Sequence, residues 1–427
     1  MNNCKAEYKS WVVIITAGLF FCYIFAQIGM FNSLAKLLVH DFKISSLEYG
    51  TLSAYYFFGN LLFLIPAGLL LDRFSTVKLL TIVSLITALS TYGFASAEDI
   101  FLAKIMRLIT GLCGSFALLT VLRLATRWFR SERLALVIGV VVTLAMLGGM
   151  LAQTPFIWLL DQYGWRHSLV YISYVGVVIT ILIACIVKDQ PQGASVDISS
   201  IQSIKDVLSC IKLAVCNKQN WLGGFSISLL NLPVFVFGAT WGSIYLRQVY
   251  NLSALDASYI LSMVFFGMIV GSPISGWISD NYSIDILKLR VIAKGSRRQP
   301  LLFGAVLSIL SLFILMFVTN LTYVQLLVLF FFIGFFSSMQ VCGYPLITES
   351  NPSNLVASAS SISSMLIMSG GFVLPLFGWL VSFSGDSVIV NQEVVYSVYD
   401  FNLAMGVLVI GYILAWVSAY SAKETIV

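Results

Sequence analysis

The sequence predicts an all-α membrane protein with twelve transmembrane helices, arranged as two pseudo-repeated halves of six helices each. The first observation is composition: 59% of the 427 residues are hydrophobic and only 10% are charged. Ordinary globular chains are about 45–50% apolar and about 25% charged. The second observation is the length of the apolar runs, because a helix needs about 20 apolar residues to cross a bilayer. Twelve runs reach that length, at about 11–36, 47–71, 78–97, 100–125, 133–158, 167–187, 221–246, 256–279, 300–319, 323–346, 355–383 and 399–421.

The longest polar connector lies between the sixth and seventh runs. It contains Pro191, Gly193 and several serines, which is typical of a linker. Apolar residues at helical spacing within it predict an amphipathic surface helix, and these are Ile201, Ile204, Leu208, Ile211 and Val215. The chain therefore divides into an N-terminal half at 1–187, a linker at 188–220 and a C-terminal half at 221–427.

Short patterns repeat between the halves, which is the third observation. Gly68-Leu-Leu-Leu-Asp72-Arg73 returns as Gly276-Trp-Ile-Ser-Asp280-Asn281, each at the end of the second run of its half. Met146-Leu-Gly148-Gly149 in the fifth run is matched by Met368-Ser-Gly370-Gly371 in the eleventh. Many secondary transporters consist of repeated halves, with the solute site at their interface near the bilayer midplane.

The distribution of basic residues predicts the orientation. With a cytoplasmic N-terminus, the inner tails and connectors hold eighteen of the twenty-four Lys and Arg residues, and the outer side and the membrane hold six. Cytoplasmic loops carry such an excess. We therefore expect a multi-pass protein of the cytoplasmic (inner) membrane, with both termini and the linker in the cytoplasm. The net charge of +5 follows from this distribution and does not indicate a nucleic-acid partner.

The chain carries no pattern typical of an enzyme. The seven cysteines are scattered without metal-ligand spacing, and we interpret those within the apolar runs as small buried hydrophobic residues. There is no nucleophile–base pair and no phosphate-binding loop. We expect no enzymatic activity, no cofactor, no bound metal and no direct use of ATP.

Four short motifs stand at the ends of, or within, the predicted spans. The loop after the second run contains Gly68, Asp72, Arg73, Ser75 and Lys78, and the fourth span contains Arg107 and Gly111 as Arg-x-x-x-Gly. The other two are Arg127-Trp128-Phe129 and Gly164-Trp165-Arg166. Together these motifs resemble those of the major facilitator superfamily, although in the first one Ser75 stands where the family usually has glycine and only Lys78 remains of the basic cluster. More narrowly, the segments at 55–74 and 363–381 resemble those of bacterial nutrient permeases. Such permeases include the phagosomal transporter families, whose members carry amino acids or nucleosides.

Arg107 is the sharpest candidate for solute binding. It lies about two turns into the fourth run, roughly 10 Å deep at 1.5 Å per residue, where a charge is costly and usually faces a cavity or a partner. No run carries a central Asp or Glu to neutralise it. A carboxylate of the solute could supply the countercharge. The alternative is that Arg107 bonds backbone carbonyls and holds helices together.

The resemblance implies that the first, fourth, seventh and tenth spans line the cavity. Amide and aromatic side chains at membrane depth need partners and tend to face the interior. Any one of them could instead make a bond between helices. The candidates are Tyr23, Gln27, Asn32, Asn231, Trp241, Gln340 and Tyr344, with Tyr55, Tyr56, Asn60 and Gln153 as further members.

The repeated Asp72 and Asp280 are interpreted as gate residues. A carboxylate at the inner end of a span can pair with Arg123, with Arg127 or with a neighbouring helix N-terminus, and the alternative is a solvated loop charge. The predicted gate consists of Gly68, Asp72, Arg73, Arg123, Arg127 and Asp280.

These patterns favour a secondary transporter that works by alternating access. We expect proton-coupled import of a small organic solute, an amino acid or another carboxylate-bearing nutrient, by a monomer in the lipid bilayer. Proton coupling is implied by the resemblance, since no central carboxylate is present, and facilitated diffusion stays open. The alternative is an efflux antiporter for drugs, metabolites or a siderophore. Ala152-Gln153 replaces the Gly-Pro that ends the antiporter motif in the fifth span, which disfavours that alternative.

Overall fold

The fold was analysed in a computed structural model, which describes residues 2–44, 46–152, 154–191, 212–285, 290–292, 294–318, 320–352, 355–370, 373–381, 383, 388–390 and 393–425. Sixteen α-helices account for most of this part of the chain. They are α1 (Asn2–Phe42), α2 (Ser46–Arg73), α3 (Thr76–Ala95), α4 (Ile100–Gly114), α5 (Phe116–Trp128), α6 (Leu134–Leu151), α7 (Thr154–Ile186), α8 (Lys218–Leu230), α9 (Gly242–Val249), α10 (Ala254–Asn281), α11 (Arg298–Phe317), α12 (Tyr323–Ser337), α13 (Gly343–Glu349), α14 (Val356–Ser369), α15 (Val373–Val381) and α16 (Val398–Ser421).

Eleven helical segments in the described part of the chain are long and apolar enough to cross a membrane. They coincide with the predicted runs other than the eleventh. That run, predicted at about 355–383, is described as α14 and α15. The predicted all-α membrane fold is therefore confirmed.

The structure contains two small β-hairpins, which the sequence analysis did not predict. Ser283–Asp285 (β1) pairs with Arg290–Ile292 (β2), and Val388–Val390 (β3) pairs with Glu393–Val395 (β4), both antiparallel. Isoleucine and valine are common in these segments, and such β-branched residues favour strands. Both hairpins lie in connectors between apolar runs, so the spans themselves remain helical.

The helices form two compact units. Unit 1 contains Met1–Asn217 and Asn351–Met365, and unit 2 contains Lys218–Ser350 and Leu366–Val427. The predicted boundaries at 187 and 221 remain a prediction, as does the amphipathic helix, most of which falls on residues 192–211, outside the described residues.

Close approach of α2 and α4 explains one glycine of unit 1. A Cβ at Gly111 would lie 2.1 Å from the carbonyl oxygen of Tyr56, so the two helix backbones meet where only glycine fits. Small residues at such contacts allow the van der Waals packing that holds membrane helices together. The Arg-x-x-x-Gly motif therefore combines a packing position with a buried charge.

A second glycine turns the chain between the fifth and sixth spans. Gly164 has φ of 72° inside α7, a conformation that glycine adopts without strain. The next residue, Trp165, donates its indole N–H to Asp41 over 2.7 Å, and this bond lowers the pKa of the Asp41 carboxyl. Arg166 donates to the carbonyl oxygens of Ala95 and Ala97, at 3.0 and 2.7 Å. The Gly-Trp-Arg motif thus satisfies carbonyls at the end of α3 that lack helical partners.

Candidate functional site

Arg107 of α4 is buried in unit 1, with 4% of its surface exposed. One terminal nitrogen, Nη1, donates to the carbonyl oxygen of Gln27 over 3.1 Å. The guanidinium carbon lies 4.1 Å from the ring centre of Phe31 and 4.9 Å from that of Tyr56, distances at which aromatic faces attract a cation. The Nε atom has no hydrogen-bond partner in the described part of the chain. Arg107 thus uses only part of its donor capacity.

The guanidinium borders a small, partly open cavity, whose empty space together with the adjoining open solvent is about 320 Å³. The wall is mostly apolar, and no Asp or Glu is among the described residues that form it. These residues are Gln27, Met30, Phe31, Leu34, Thr91, Phe94, Arg107, Thr110 and Leu169. The cavity therefore presents one cation, an amide and two hydroxyls on an apolar surface.

A hydrogen-bond network centred on Thr91 fixes the wall beside Arg107. The Thr91 hydroxyl accepts from Gln27 Nε2 over 2.8 Å and from the Tyr23 hydroxyl over 3.4 Å. Tyr23 also reaches the carbonyl oxygen of Ile172 at 3.2 Å. Because Gln27 holds Arg107 by its carbonyl, the network links three predicted site residues. The sequence analysis missed Thr91, since one threonine in an apolar run carries no distinguishing signal.

The other predicted members of unit 1 divide by environment. Tyr56 is buried against Arg107, whereas the exposed Tyr55 contacts Lys104, whose ammonium lies 6.0 Å from its ring centre. Asn60 is buried and donates to the carbonyl oxygen of Gly111 at 3.4 Å, a bond between helices. The side chain of Asn32 and the whole of Gln153 lie outside the described residues.

In unit 2 the side chains of the two predicted amide residues form a hydrogen bond with each other. Gln340 Nε2 donates to Asn231 Oδ1 over 3.0 Å. Both residues lie at irregular parts of their spans, because a π-helix follows Asn231 at Val234–Trp241 and a 3₁₀-helix contains Gln340 at Ser338–Cys342. Such breaks frequently occur at functional positions.

The two predicted aromatic residues of unit 2 are packed differently. Trp241 lies at the end of the π-helix, with ring centres 5.6 Å from Phe377 and 6.3 Å from Tyr396. Tyr344 is buried at the start of α13. Neither packing assigns a solute contact, so both remain predicted site residues.

Asp72 at the end of α2 is the centre of a buried cluster in unit 1. Its carboxylate forms an ion pair with Arg123, and both side chains are almost fully buried. It also accepts from the backbone N–H of Ser358 at 2.9 Å and of Ala357 at 3.3 Å, at the start of α14. Gly68 lies against the same segment, because a Cβ there would be 2.9 Å from the Ala357 carbonyl oxygen. Asp72 therefore has both a cation and a helix N-terminus as partners, the alternatives that the sequence analysis named.

Arg127 and Arg73, the other predicted basic gate residues, are half-buried. Arg127 donates to the Thr76 hydroxyl at 3.3 Å and lies 3.7 Å from the carboxylate of Asp189. Ser75, which replaces the family's second glycine, caps α3 by accepting from Lys78 N–H at 3.3 Å, and its hydroxyl donates to Asp189 at 2.5 Å. The unusual serine therefore has a local role at the start of α3.

Asp280 has a different partner from its counterpart Asp72. In unit 2 it forms an ion pair with Arg297, which also binds Glu349 at 2.8 Å. The sequence analysis offered Arg123 or Arg127 as partners of such carboxylates and did not single out Arg297. Arg297 lies in a connector with several basic residues, and sequence alone does not distinguish the one that folds back onto α10.

Apolar helices of spanning length, with a buried cation beside a mostly apolar cavity, are features that membrane transporters share. The chain belongs to the Major Facilitator Superfamily, whose sequence profile matches residues 17–375. The resemblance seen in the motifs is thereby confirmed. Members of this superfamily are transporters and not enzymes, so the chain is a secondary transporter of the twelve-helix type.

Two relatives and one solved structure illustrate the similarity. GarP of Escherichia coli strain K12, described as a probable galactarate/D-glucarate transporter, is 25% identical over 370 residues, covering 80% of this chain and 81% of GarP. The hexuronate transporter of Bacillus subtilis strain 168 is 23% identical over 248 residues, covering 58% of either chain. The structure of the proton:xylose symporter XylE matches with a TM-score of 0.71 at 14% identity, covering 99% of this chain and 97% of XylE. At that identity the structural match shows the fold alone.

Proposed function

We propose that the chain imports a small carboxylate-bearing solute of the sugar-acid class across the cytoplasmic membrane by alternating access. The observation that carries this proposal is Arg107, a buried cation with an unused donor beside a cavity that has no acidic residue among its described lining. A buried charge without a countercharge is costly. A solute carboxylate supplies that countercharge when it binds.

The geometry of Arg107 suits a carboxylate. The guanidinium has five N–H donors in a planar fork, of which Nη1 is used by Gln27 and Nε is free of partners in the described part of the chain. A carboxylate can accept two parallel bonds from such a fork. The ring faces of Phe31 and Tyr56 hold the guanidinium in place, which reduces the entropy lost on binding.

The cavity favours a sugar acid over the amino acid that the sequence analysis placed first. The ammonium group of an amino acid is a cation, which Arg107 repels and which an acidic side chain would stabilise, but no Asp or Glu is among the described lining residues. The hydroxyl groups of a sugar acid can instead bond Gln27, Thr91 and Thr110. GarP is described as a probable galactarate/D-glucarate transporter and the second relative as a hexuronate transporter; these solutes are sugar acids, which supports this choice.

Three further parts of the proposal concern the whole chain. The similarity to XylE, a proton symporter, supports proton coupling, although the cavity offers no acidic group among its described residues. The excess of basic residues in alternate connectors supports cytoplasmic termini.

Because both halves are in one chain, we propose a monomer as the transport unit. The efflux alternative has no specific observation in its favour.

The test uses purified protein in vesicles with an inward proton gradient, and radiolabelled galactarate as the probe. We expect uptake that unlabelled D-glucuronate competes for and that neutral amino acids do not. Arg107→Gln should lower uptake at low galactarate concentration roughly 10- to 100-fold, since a hydrogen bond to a charged group contributes about 1.5–3 kcal/mol. A protonophore should abolish accumulation.

Lys104→Gln is the matched control, because Lys104 is one turn from Arg107 on the same helix and contacts Tyr55 instead of the cavity. It should retain uptake. Equal uptake by Arg107→Gln and Lys104→Gln would refute the role of Arg107. Accumulation that survives the protonophore would refute proton coupling and leave facilitated diffusion or another ion.

A further inference from the structure

The side-chain amide of Gln27 in α1 is held in one orientation by two threonines of α3. Thr91 donates its hydroxyl proton to the carbonyl oxygen of Thr87 over 2.8 Å, so towards its other neighbours this hydroxyl can only accept. Gln27 Nε2 donates to it over 2.8 Å. Because only the nitrogen of an amide can donate, Gln27 turns its NH₂ group to Thr91 and its carbonyl oxygen Oε1 away from it.

The Oε1 atom of Gln27 is an acceptor that the described part of the chain does not use. The hydrogen bonds of Gln27 to other helices run from its Nε2 to Thr91 and from Arg107 to its backbone carbonyl oxygen. Gln27 lines the cavity beside Arg107. Unlike the Nε of Arg107, its Oε1 is not sealed from that space, so a bound molecule can donate to it.

Arg107 and Gln27 together offer a group of donors and one acceptor side by side. Arg107 Nη1 is 3.1 Å from the Gln27 backbone carbonyl oxygen, which keeps the guanidinium beside the residue that carries Oε1. A carboxylate only accepts and therefore suits the guanidinium. The amide oxygen needs a donor instead. A solute with a hydroxyl on the carbon next to its carboxylate carries both groups in this arrangement.

A hydroxyl suits Oε1 better than the ammonium that an amino acid carries on the same carbon. Both groups can donate, but Arg107 repels a second cation, and the repulsion is strong where little water screens it. No Asp or Glu is among the described lining residues to offset it. We therefore expect a neutral donor on the carbon next to the carboxylate.

We propose that the cavity beside Arg107 selects 2-hydroxy carboxylates, with the carboxylate on Arg107 and the 2-hydroxyl donating to Gln27 Oε1. This inference rests on the proposed function, in which Arg107 binds the carboxylate of the solute. Gln27 is the residue that determines specificity at the second carbon. Thr91 is a positioning residue that acts through the Gln27 amide, because without its hydroxyl the amide can rotate and no longer keeps an acceptor at this point.

The experiment measures how D-gluconate and its 2-deoxy and 3-deoxy analogues compete with radiolabelled galactarate for uptake into vesicles. Each analogue lacks one hydroxyl, so the 3-deoxy compound is the matched control for the 2-deoxy compound. We expect the 2-deoxy analogue to need a roughly tenfold higher concentration than D-gluconate for half-inhibition, because a desolvated acceptor left without a donor is costly. The 3-deoxy analogue should compete nearly as well as D-gluconate.

Variants show whether Gln27 recognises this hydroxyl. Gln27→Leu keeps the backbone carbonyl that Arg107 binds but removes Oε1, so D-gluconate and the 2-deoxy analogue should become equal competitors. Thr91→Val should reduce the difference between them, because the amide is free to rotate. Thr91→Ser should restore the difference, because the hydroxyl remains. A purely structural role of Thr91 would change competition by both compounds alike and leave their ratio as in the unchanged chain.

The outcomes separate this inference from the proposed function. Equal competition by D-gluconate and its 2-deoxy analogue in the unchanged chain would overturn the 2-hydroxyl contact and leave the carboxylate on Arg107. A difference that persists in Gln27→Leu would overturn the role of Gln27. Competition by the 2-ammonium analogue, D-glucosaminate, as strong as that by D-gluconate would overturn the choice of a hydroxyl. If neither galactarate uptake nor competition by D-gluconate is found, the proposed solute class fails, and the 2-hydroxyl contact fails with it.

Discussion

At the scale of single residues, the buried arginines differ in what neutralises them. Arg123 pairs with Asp72, and Arg297 lies between Asp280 and Glu349. Arg107 has a backbone carbonyl and two aromatic faces. An ion pair inside the protein compensates the cost of removing the charge from water only with good geometry and further hydrogen bonds. The first two arginines therefore have carboxylate partners, while Arg107 retains capacity for an anion.

The Asp72–Arg123 pair can be tested by a double-mutant cycle. Asp72→Asn leaves Arg123 as an uncompensated buried charge, a change that typically costs about 3–5 kcal/mol. We expect a lower thermal unfolding midpoint for the purified protein. Adding Arg123→Gln should recover part of the loss, because it removes that charge.

Glu7→Gln serves as the control for this cycle. It removes the Glu7–Arg133 pair, whose side chains are 49% and 57% exposed, and exposed pairs contribute about 0–1 kcal/mol. A double variant less stable than Asp72→Asn alone would show that Arg123 stabilises the fold in another way.

Sequence reasoning found some of these residues and missed others for a common reason. Arg107 and Asp72 were predictable because a charge within or beside an apolar run is conspicuous. Thr91 and Arg297 were not, because a threonine in a span or a charge in a polar connector is ordinary. Their roles depend on which distant segment folds against them.

At the scale of elements, departures from regular helix occur at the predicted solute-binding positions of unit 2. The seventh span changes to a π-helix after Asn231, and the tenth changes to a 3₁₀-helix around Gln340. Irregular backbone is tolerated at membrane depth only where protein or a polar cavity covers it. The side chains of Asn231 and Gln340 bond each other at these irregular positions.

The contact of α2 with α4 gives a prediction about packing. In Gly111→Ala the new methyl group would lie 2.1 Å from the Tyr56 carbonyl oxygen, so the helices must separate, and overpacking commonly costs about 1–3 kcal/mol. We expect a lower unfolding midpoint and weaker galactarate uptake, because Tyr56 and Arg107 lie at this contact.

Gly406→Ala in α16 is the matched substitution, since nothing lies within 4 Å of a Cβ at that position. Alanine in a helix interior is favoured over glycine by about 0.5–1 kcal/mol. The midpoint of this variant should stay equal or rise. A Gly111→Ala protein as stable as Gly406→Ala would mean that the helices separate without cost.

At the scale of the whole molecule, large apolar side chains remain exposed along many spans. Phe58, Leu89 and Phe317 are 63%, 58% and 71% exposed. In a water-soluble protein a surface of this kind would promote association. Lipid accepts it, because acyl chains are as apolar as these side chains. The outward face thus matches the bilayer and leaves polar groups to the interior and the helix ends.

The charge distribution predicts how the chain lies in that bilayer. Eighteen of twenty-four basic residues fall in alternate connectors and tails. We expect a fluorescent protein fused to the C-terminus to be fluorescent in bacterial cells, and alkaline phosphatase fused after Lys43 to be active. The fluorescent protein is fluorescent only in the cytoplasm and the phosphatase is active only on the outer side of the membrane. The two fusions therefore report independently on the same orientation. Phosphatase activity at the C-terminus would reverse the proposed orientation.

The sequence by itself determined the membrane class, the spans, the repeat, the superfamily and the exceptional status of Arg107. The membrane class and the spans follow from composition and periodicity, which each segment carries locally, and the superfamily follows from short motifs that resemble those of its members. Only the tertiary structure decided that Arg107 shares its cavity with Thr91, that Thr91 bonds the Gln27 amide, and that Asp280 binds Arg297. Each of these contacts joins residues far apart in the chain, and their pairing depends on how the helices pack.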